Sequence, residues 1–237
     1  LRKGLLRGIV KGFFMLQKYC FIKSTIGQKQ LVAFTGLILS LFVLTHMAGN
    51  LLILVSPQKY NEYAHNLVSN PFLEFIEVVL LFALVNHFVI AIKLQLNNFK
   101  AKPQAYAKSG HGKKSTDPVS KTMAIQGLLI LVFIVLHLIT FKYGSNYEVN
   151  YGNGPMRDLH RLVVEVFHNP LYVIWYLVAL VVLGLHLKHG VKSLFQTLGF
   201  NHPKYQCALQ IFAFLYAVIV SCGFIIQPIY VYFIFQN

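Results

Sequence analysis

The chain has 237 residues, 56% of them hydrophobic and 12% charged, with a formal net charge of +14. So much apolar content and so little charge exclude an ordinary soluble domain and mark an integral membrane protein. The positive charges gather between apolar runs, which reports membrane orientation and argues against a nucleic-acid partner.

Residues 1–30 interleave Arg2, Arg7, Lys11 and Lys18 with apolar side chains. They read as a basic amphipathic cytoplasmic arm lying on a membrane surface or a partner, without the uninterrupted apolar core of a cleavable signal peptide. Residues 31–237 read as a five-span haem-binding membrane domain, an all-α bundle in which four helices enclose two haems b. The spans are expected at 31–55, 72–96, 122–141, 171–191 and 207–234, each holding the roughly 20 apolar residues that one crossing needs. The loop from Ala101 to Pro118, rich in Gly, Ser and Lys, is expected to be solvated or partner-bound. The connection from Gly144 to Asn169 opens with a Gly, Ser and Asn turn, and its amphipathic stretch Arg157 to Phe167 is expected to be a surface helix.

Alternate crossing puts the N-terminus, 97–121 and 192–206 on one side. Counted to the span edges, seventeen Lys and Arg fall there and four, Lys59, Lys142, Arg157 and Arg161, on the other. That asymmetry predicts a cytoplasmic (inner) membrane protein with its N-terminus in the cytoplasm and Asn237 outside. Six of the seven acidic residues, all but Asp117, fall on the outer half. Cys20, Cys207 and Cys222 form no CxxC pair, no CxxCH haem-attachment site and no zinc spacing, so a cofactor here is held by histidine and packing.

Four spans each carry a histidine deep in apolar surroundings, where an unpartnered imidazole loses water without compensation. His46 lies 17 residues beyond Lys29 and His137 lies 16 beyond Lys121, while His87 and His186 each stand six residues before Lys93 and Lys192. At about 1.5 Å of rise per residue, His46 and His137 share an outer depth about 25 Å from the inner edge, and His87 and His186 lie near the inner surface. In an up-down-up-down bundle, spans one and three face each other across one diagonal and spans two and four across the other. Each pair then reads as the two axial ligands of one haem iron. Two imidazoles saturate the iron, and such centres carry electrons rather than bind gases. Gly36 and Gly127 each precede the outer ligand on their span by ten residues, which brings both to the level of the inner pair and makes room for a flat macrocycle. His189 competes with His186 as the inner ligand. His65, His111, His160, His168 and His202 fall in connections and read as ordinary polar loop residues.

These residues also resemble a known family. Ser24-Thr-Ile-Gly-Gln-Lys, Thr35-Gly-Leu leading to His46-Met-Ala-Gly-Asn, Asn61-Glu-Tyr-Ala-His, and the run from His186 through Gln196-Thr-Leu-Gly are similar to the di-haem cytochrome b membrane-anchor subunit of succinate:quinone oxidoreductases, the succinate dehydrogenase and fumarate reductase family. The resemblance covers nearly all of residues 24–234. It implies respiratory complex II chemistry linked to the tricarboxylic acid cycle: a flavoprotein with covalent FAD and an iron-sulfur subunit on the cytoplasmic side, and electrons passing between succinate or fumarate and a quinone, expected to be menaquinone. It also implies that His87 and His186 are the proximal ligands and His46 and His137 the distal ones. Where some fumarate reductases of the family carry a glutamate two residues before the ligand on span four, this chain has Gly184.

A quinone accepts hydrogen bonds as it is reduced, and a quinol must lose protons to a base. Glu62, His65 and Glu77, on the outer side, are the candidates, with hydrated interfacial residues as the competing reading. Arg157 and Arg161 outside and Lys192 inside are candidates to pair with haem propionates, with lipid headgroup contact as the competing reading. The four histidines also admit the cytochrome b of another membrane dehydrogenase, or a haem-free proton-coupled transporter, although the sequence lacks the internal repeats and broken spans of transporters.

Overall fold

A computed structural model of the protein describes residues 23–101, 118–152, 154–200 and 202–235, with side chains omitted at 118–121. Most of the N-terminal arm and of the 101–118 loop lie outside the described residues. Seven helices and one short hairpin follow in order: α1 (Thr25–Asn50), α2 (Pro57–Val68), α3 (Leu73–Lys100), α4 (Pro118–His137), β1 (Glu148–Asn150), β2 (Pro155–Arg157), α5 (Leu159–Phe167), α6 (Pro170–Thr197) and α7 (Pro203–Ile234). Five helical segments are long and apolar enough to cross a membrane: Thr25–Leu54, Leu73–Lys100, Thr122–Lys142, Pro170–Thr197 and Pro203–Ile234. The protein is a multi-pass membrane protein of the all-α class.

Local chemistry sets the helix starts. Ser24 caps α1 by accepting from the Gly27 amide at 3.1 Å, and Ser56 caps α2 by accepting from Lys59 at 3.1 Å. Asn169 does the same for α6, accepting from Leu171 at 2.9 Å, and His202 for α7, accepting from Lys204 at 3.2 Å. Pro57, Pro170 and Pro203 follow three of these caps, where a missing N–H removes no helical bond. α1 starts at Thr25, ahead of the expected edge at residue 31, because Ser24 rather than the first apolar run decides where the helix begins.

Four of the spanning helices form a ring in the order α1, α3, α4, α6. α1 packs on α3 and α6, and α4 packs on α6, while the seam between α3 and α4 is sparse; the diagonals α1/α4 and α3/α6 are not packing partners. α7 backs the ring against α6 and α1, and its seam with α6 is the most extensive in the molecule. Small residues make that approach possible: Ala179 on α6 and Ala213 and Ala217 on α7 are buried, and Gly184 faces Ser221. The outer faces of α3 and α4 expose large apolar side chains such as Phe75, Phe82, Val89, Ile125 and Val132, as a lipid-facing surface does.

At the end of the bundle where α1 finishes, α2, the β1–β2 hairpin and α5 form a lid, called here the hairpin face. Glu148 pairs with Arg157, Val149 with Met156 and Asn150 with Pro155 in antiparallel register. The stretch Arg157–Phe167 therefore divides differently from expectation. Arg157 ends a strand, and the helix starts at Leu159 after Asp158, whose carboxylate accepts from the Arg161 amide at 3.0 Å. That helix keeps Arg161 and Glu165 exposed on one face and buries His160, Leu162, Val163 and Phe167 on the other, Val163 and Phe167 in a cluster with Ile53, Tyr60, Val173, Tyr176 and Val231. Its amphipathic face is directed at protein rather than at lipid.

Asn61 holds the lid together. Its side chain is fully buried, donates to the Asp158 carboxylate at 2.8 Å and the Tyr151 hydroxyl at 3.2 Å, and accepts from the His160 amide at 2.8 Å. Replacing it with Leu leaves those three groups without their partner in a dry site. We expect Asn61→Leu to cost about 3 kcal/mol and to lower the thermal midpoint, followed through the fluorescence of Trp175, the chain's single tryptophan.

Candidate functional site

The ring brings the four histidines together across its diagonals. On α1 and α4, the His46 and His137 rings lie 5.8 Å apart between centroids with planes at 89°. On α3 and α6, the His87 and His186 rings lie 6.4 Å apart at 67°. Gly36 and His46 are ten residues apart on one helix, so the two levels are separated by about 15 Å. Since the diagonal helices do not pack on each other, each gap is bridged by imidazole edges.

Second partners orient the rings. His87 Nδ1 lies 3.1 Å from the Val32 carbonyl oxygen and 3.2 Å from Thr35 Oγ1. His137 Nδ1 lies 3.1 Å from the Tyr176 hydroxyl. The Asn50 amide nitrogen donates to the His46 carbonyl oxygen at 2.8 Å and lies 3.4 Å from both nitrogens of its ring, while the Asn50 amide oxygen accepts from Tyr60 at 3.0 Å. His186 Nδ1 is buried with no protein partner. Aromatic rings wall the upper pair: Phe42 stacks on His46 at 5.3 Å and 19°, Phe224 lies 5.9 Å from His46, and Phe133 and Phe141 lie 5.8 and 5.3 Å from His137. α4 ends at His137, and one wide π-type turn, Leu138–Lys142, follows.

A haem iron with two axial imidazoles is tested by these distances. With metal–nitrogen bonds of about 2 Å on each side, and about 1.1 Å from each nitrogen to its ring centre, the centroids of two imidazoles holding one metal between them would fall about 6.2 Å apart. Both pairs come within about 0.5 Å of that separation. Among the described residues no three His, Cys, Asp or Glu side chains converge, so the donor sets present are pairs. His46 with His137 and His87 with His186 are thus the residues that would hold such a group, each pair by its centroid separation. The glycines stand at the lower level, as their spacing indicates: a Cβ on Gly36 would come within 3.0 Å of His87 Cε1, and one on Gly127 within 3.8 Å of His186 Cε1. At Gly184 a Cβ would stand 2.5 Å from Ser221 Oγ and 3.3 Å from its Cβ, so a side chain there would require the Ser221 hydroxyl to turn away and its Cβ to give slightly.

The other candidates are engaged elsewhere. Arg157 donates to the carbonyl oxygens of Lys142, Gly144 and Ser145 at 3.4, 3.4 and 3.1 Å, while its buried Nε has no partner. Arg161 lies over the Tyr147 ring at 4.2 Å. Lys192 lines a small groove with Gln196, Phe200, Gln206, Leu209 and Gln210 at the opposite end from the lid. Glu62 accepts from Gln58 at 2.8 Å, Glu77 is ion-paired to Lys142 across the α3–α4 seam, and His65 is exposed on α2. None of these three has a hydrogen bond to the upper histidine pair.

His160 overturns its reading as an ordinary loop residue. It is 8% exposed, its Nε2 is buried without a partner, and its ring lies edge-on to Phe235 at 5.1 Å and to Tyr60 at 6.5 Å. Burial holds its imidazole below the usual histidine range, opposed in part by the Asp158 carboxylate. Burial likewise raises the Tyr60 hydroxyl well above the usual phenol range. The signal for His160 was its place in the apolar period of α5, four residues before Val164 and seven before Phe167. Thr35 and Tyr176 were also missed, since their contacts join distant helices, and Asn50 was missed because its role depends on Tyr60 folding back over the end of α1. Comparison with protein families, curated proteins and solved structures finds no match to this chain.

The unfolded chain protonates His160 near its ordinary pKa of about 6.5, whereas the folded site takes the proton only at lower pH. The unfolded state thus binds more protons in that window, so stability falls as pH drops below about 6.5 toward the folded value. Thermal midpoints measured across that range are expected to decline less in His160→Phe than in the parent chain.

Proposed function

We propose that this protein is a di-haem cytochrome b, the membrane-anchor subunit of a succinate dehydrogenase or fumarate reductase, and that it carries electrons between an iron-sulfur partner and a membrane quinone. The observation that supports this best is the pair of imidazole contacts across both diagonals of the ring, at separations suited to trans ligation of one metal each. When bound, haem b supplies a reversible one-electron couple at a saturated iron. His87 and His186 would hold the group nearer the basic face, and His46 and His137 the one beneath the lid. The Val32 carbonyl and Tyr176 hydroxyl hold one nitrogen of His87 and of His137, leaving the other available to a metal.

The orientation belongs to the same proposal. The Lys-rich face lies in the cytoplasm and docks the iron-sulfur and flavoprotein subunits, which contain the FAD, the clusters and the succinate chemistry. Quinone, expected to be menaquinone, exchanges near the lid, where Glu62, His65 and Glu77 offer proton-carrying groups. Gly184 stands where a carboxylate would serve that proton route, so the chain is expected to lack it.

A dithionite-reduced minus oxidised spectrum of the purified chain tests the reading, with two b-type haems per chain expected. Replacing His87 or His186 by Ala should remove one haem, and His46 or His137 the other. No b-type band in the parent chain leaves the histidine-relay transporter instead. Loss of the lower centre on replacing His189, with His186 variants unaffected, overturns the ligand assignment.

A further inference from the structure

The four imidazoles are not held alike, and the difference is greatest within the lower pair. His87 Nδ1 has two oxygen neighbours on α1, the Val32 carbonyl at 3.1 Å and Thr35 Oγ1 at 3.2 Å. The Thr35 hydroxyl has one proton, and its nearest acceptor is the Leu31 carbonyl at 2.8 Å, with the Val32 carbonyl at 3.2 Å. Toward His87 the Val32 carbonyl can only accept, and a Thr35 hydroxyl that donates to Leu31 accepts there as well. Both oxygens ask for a hydrogen on Nδ1, and that tautomer leaves the lone pair on Nε2. Across the gap, His186 Nδ1 is buried and has no protein partner.

Threonine in an apolar helix commonly bonds its hydroxyl back to the preceding turn. That habit accounts for the bond to Leu31 and not for the approach to a ring on another helix. Thr35 is 6% exposed, and its neighbour Gly36 leaves the space that the His87 ring fills, since a Cβ there would sit 3.0 Å from Cε1. Three features within about one turn of α1, a carbonyl, a hydroxyl and an absent side chain, thus converge on one imidazole.

We infer that Val32, Thr35 and Gly36 form a two-acceptor cradle that fixes the tautomer and angle of His87, making it the more electron-donating ligand of an unequal pair. Thr35 is a positioning residue. This rests on the haem reading. An acceptor at Nδ1–H raises the basicity of the other nitrogen and favours the more positively charged state of the metal it binds.

The test is a potentiometric titration of both b centres in the full chain reconstituted in lipid, with the centres assigned from the histidine variants. Thr35→Val keeps the shape and removes the hydroxyl. Its lower centre is expected to become about three- to tenfold easier to reduce, an upward shift of about 30–60 mV at 59 mV per decade. The upper centre should stay in place, and Thr35→Ser should restore the parent value. An unmoved lower potential overturns the inference, as does an equal shift in both centres. Should Thr35→Val fail to assemble, pulsed EPR of the parent chain decides, by reading the remote nitrogens of the lower centre. One strongly and one weakly hydrogen-bonded nitrogen is the expected result, and two equivalent nitrogens overturn it. A parent chain without haem refutes the functional reading itself, whereas a haem-loaded chain with an unmoved potential refutes only the cradle.

Discussion

The bundle depends on imidazole facing imidazole across diagonal helices that share no extensive seam. A polar ring placed in an apolar, dry interior costs about 1–3 kcal/mol when nothing satisfies it, and this chain places four such rings in its spans. Pairing them across both diagonals concentrates that polarity at two levels and leaves the rest of each helix free to be apolar. Ring order follows from this arrangement. α1 and α4 must stand opposite each other, as must α3 and α6, and α7, which contributes no deep histidine, is left to brace the outside.

The two levels are built from different materials. Near the N-terminal end of α1, backbone and hydroxyl oxygens with a missing side chain accommodate the His87 ring. Beneath the lid, the work is done by aromatic faces and by a longer polar chain from His46 through Asn50 to Tyr60. Asn61 continues that order into the hairpin and α5. Rigidity at the upper level thus depends on segments that never cross the membrane, while the lower level is set within a single span.

Much of this was legible from residue types and spacing. Apolar runs of sufficient length located five spans, and counting from flanking lysines placed the histidines in two matched levels, because helical rise converts sequence distance into depth. The ten-residue spacing from Gly36 to His46 and from Gly127 to His137 likewise placed those glycines at the level of the lower pair. What escaped depended on tertiary contact. Arg157 read as part of a helix because its strand exists only through pairing with Glu148. His160 read as a loop residue because burial of so short a helix follows from the lid above it. Thr35 and Tyr176 look like routine apolar-helix residues until another helix brings a ring to them.

The sparse seam between α3 and α4 gives the ring one weak side. α1, α6 and α7 are joined through small residues and extensive packing, whereas α3 and α4 are each secured mainly to a neighbour on their other flank. Few contacts would break if those two helices moved apart, and the Lys142–Glu77 ion pair ties them near the top of that seam. If the proposed reading holds, that side is where a planar cofactor would enter with least packing lost, after the chain is already in the bilayer.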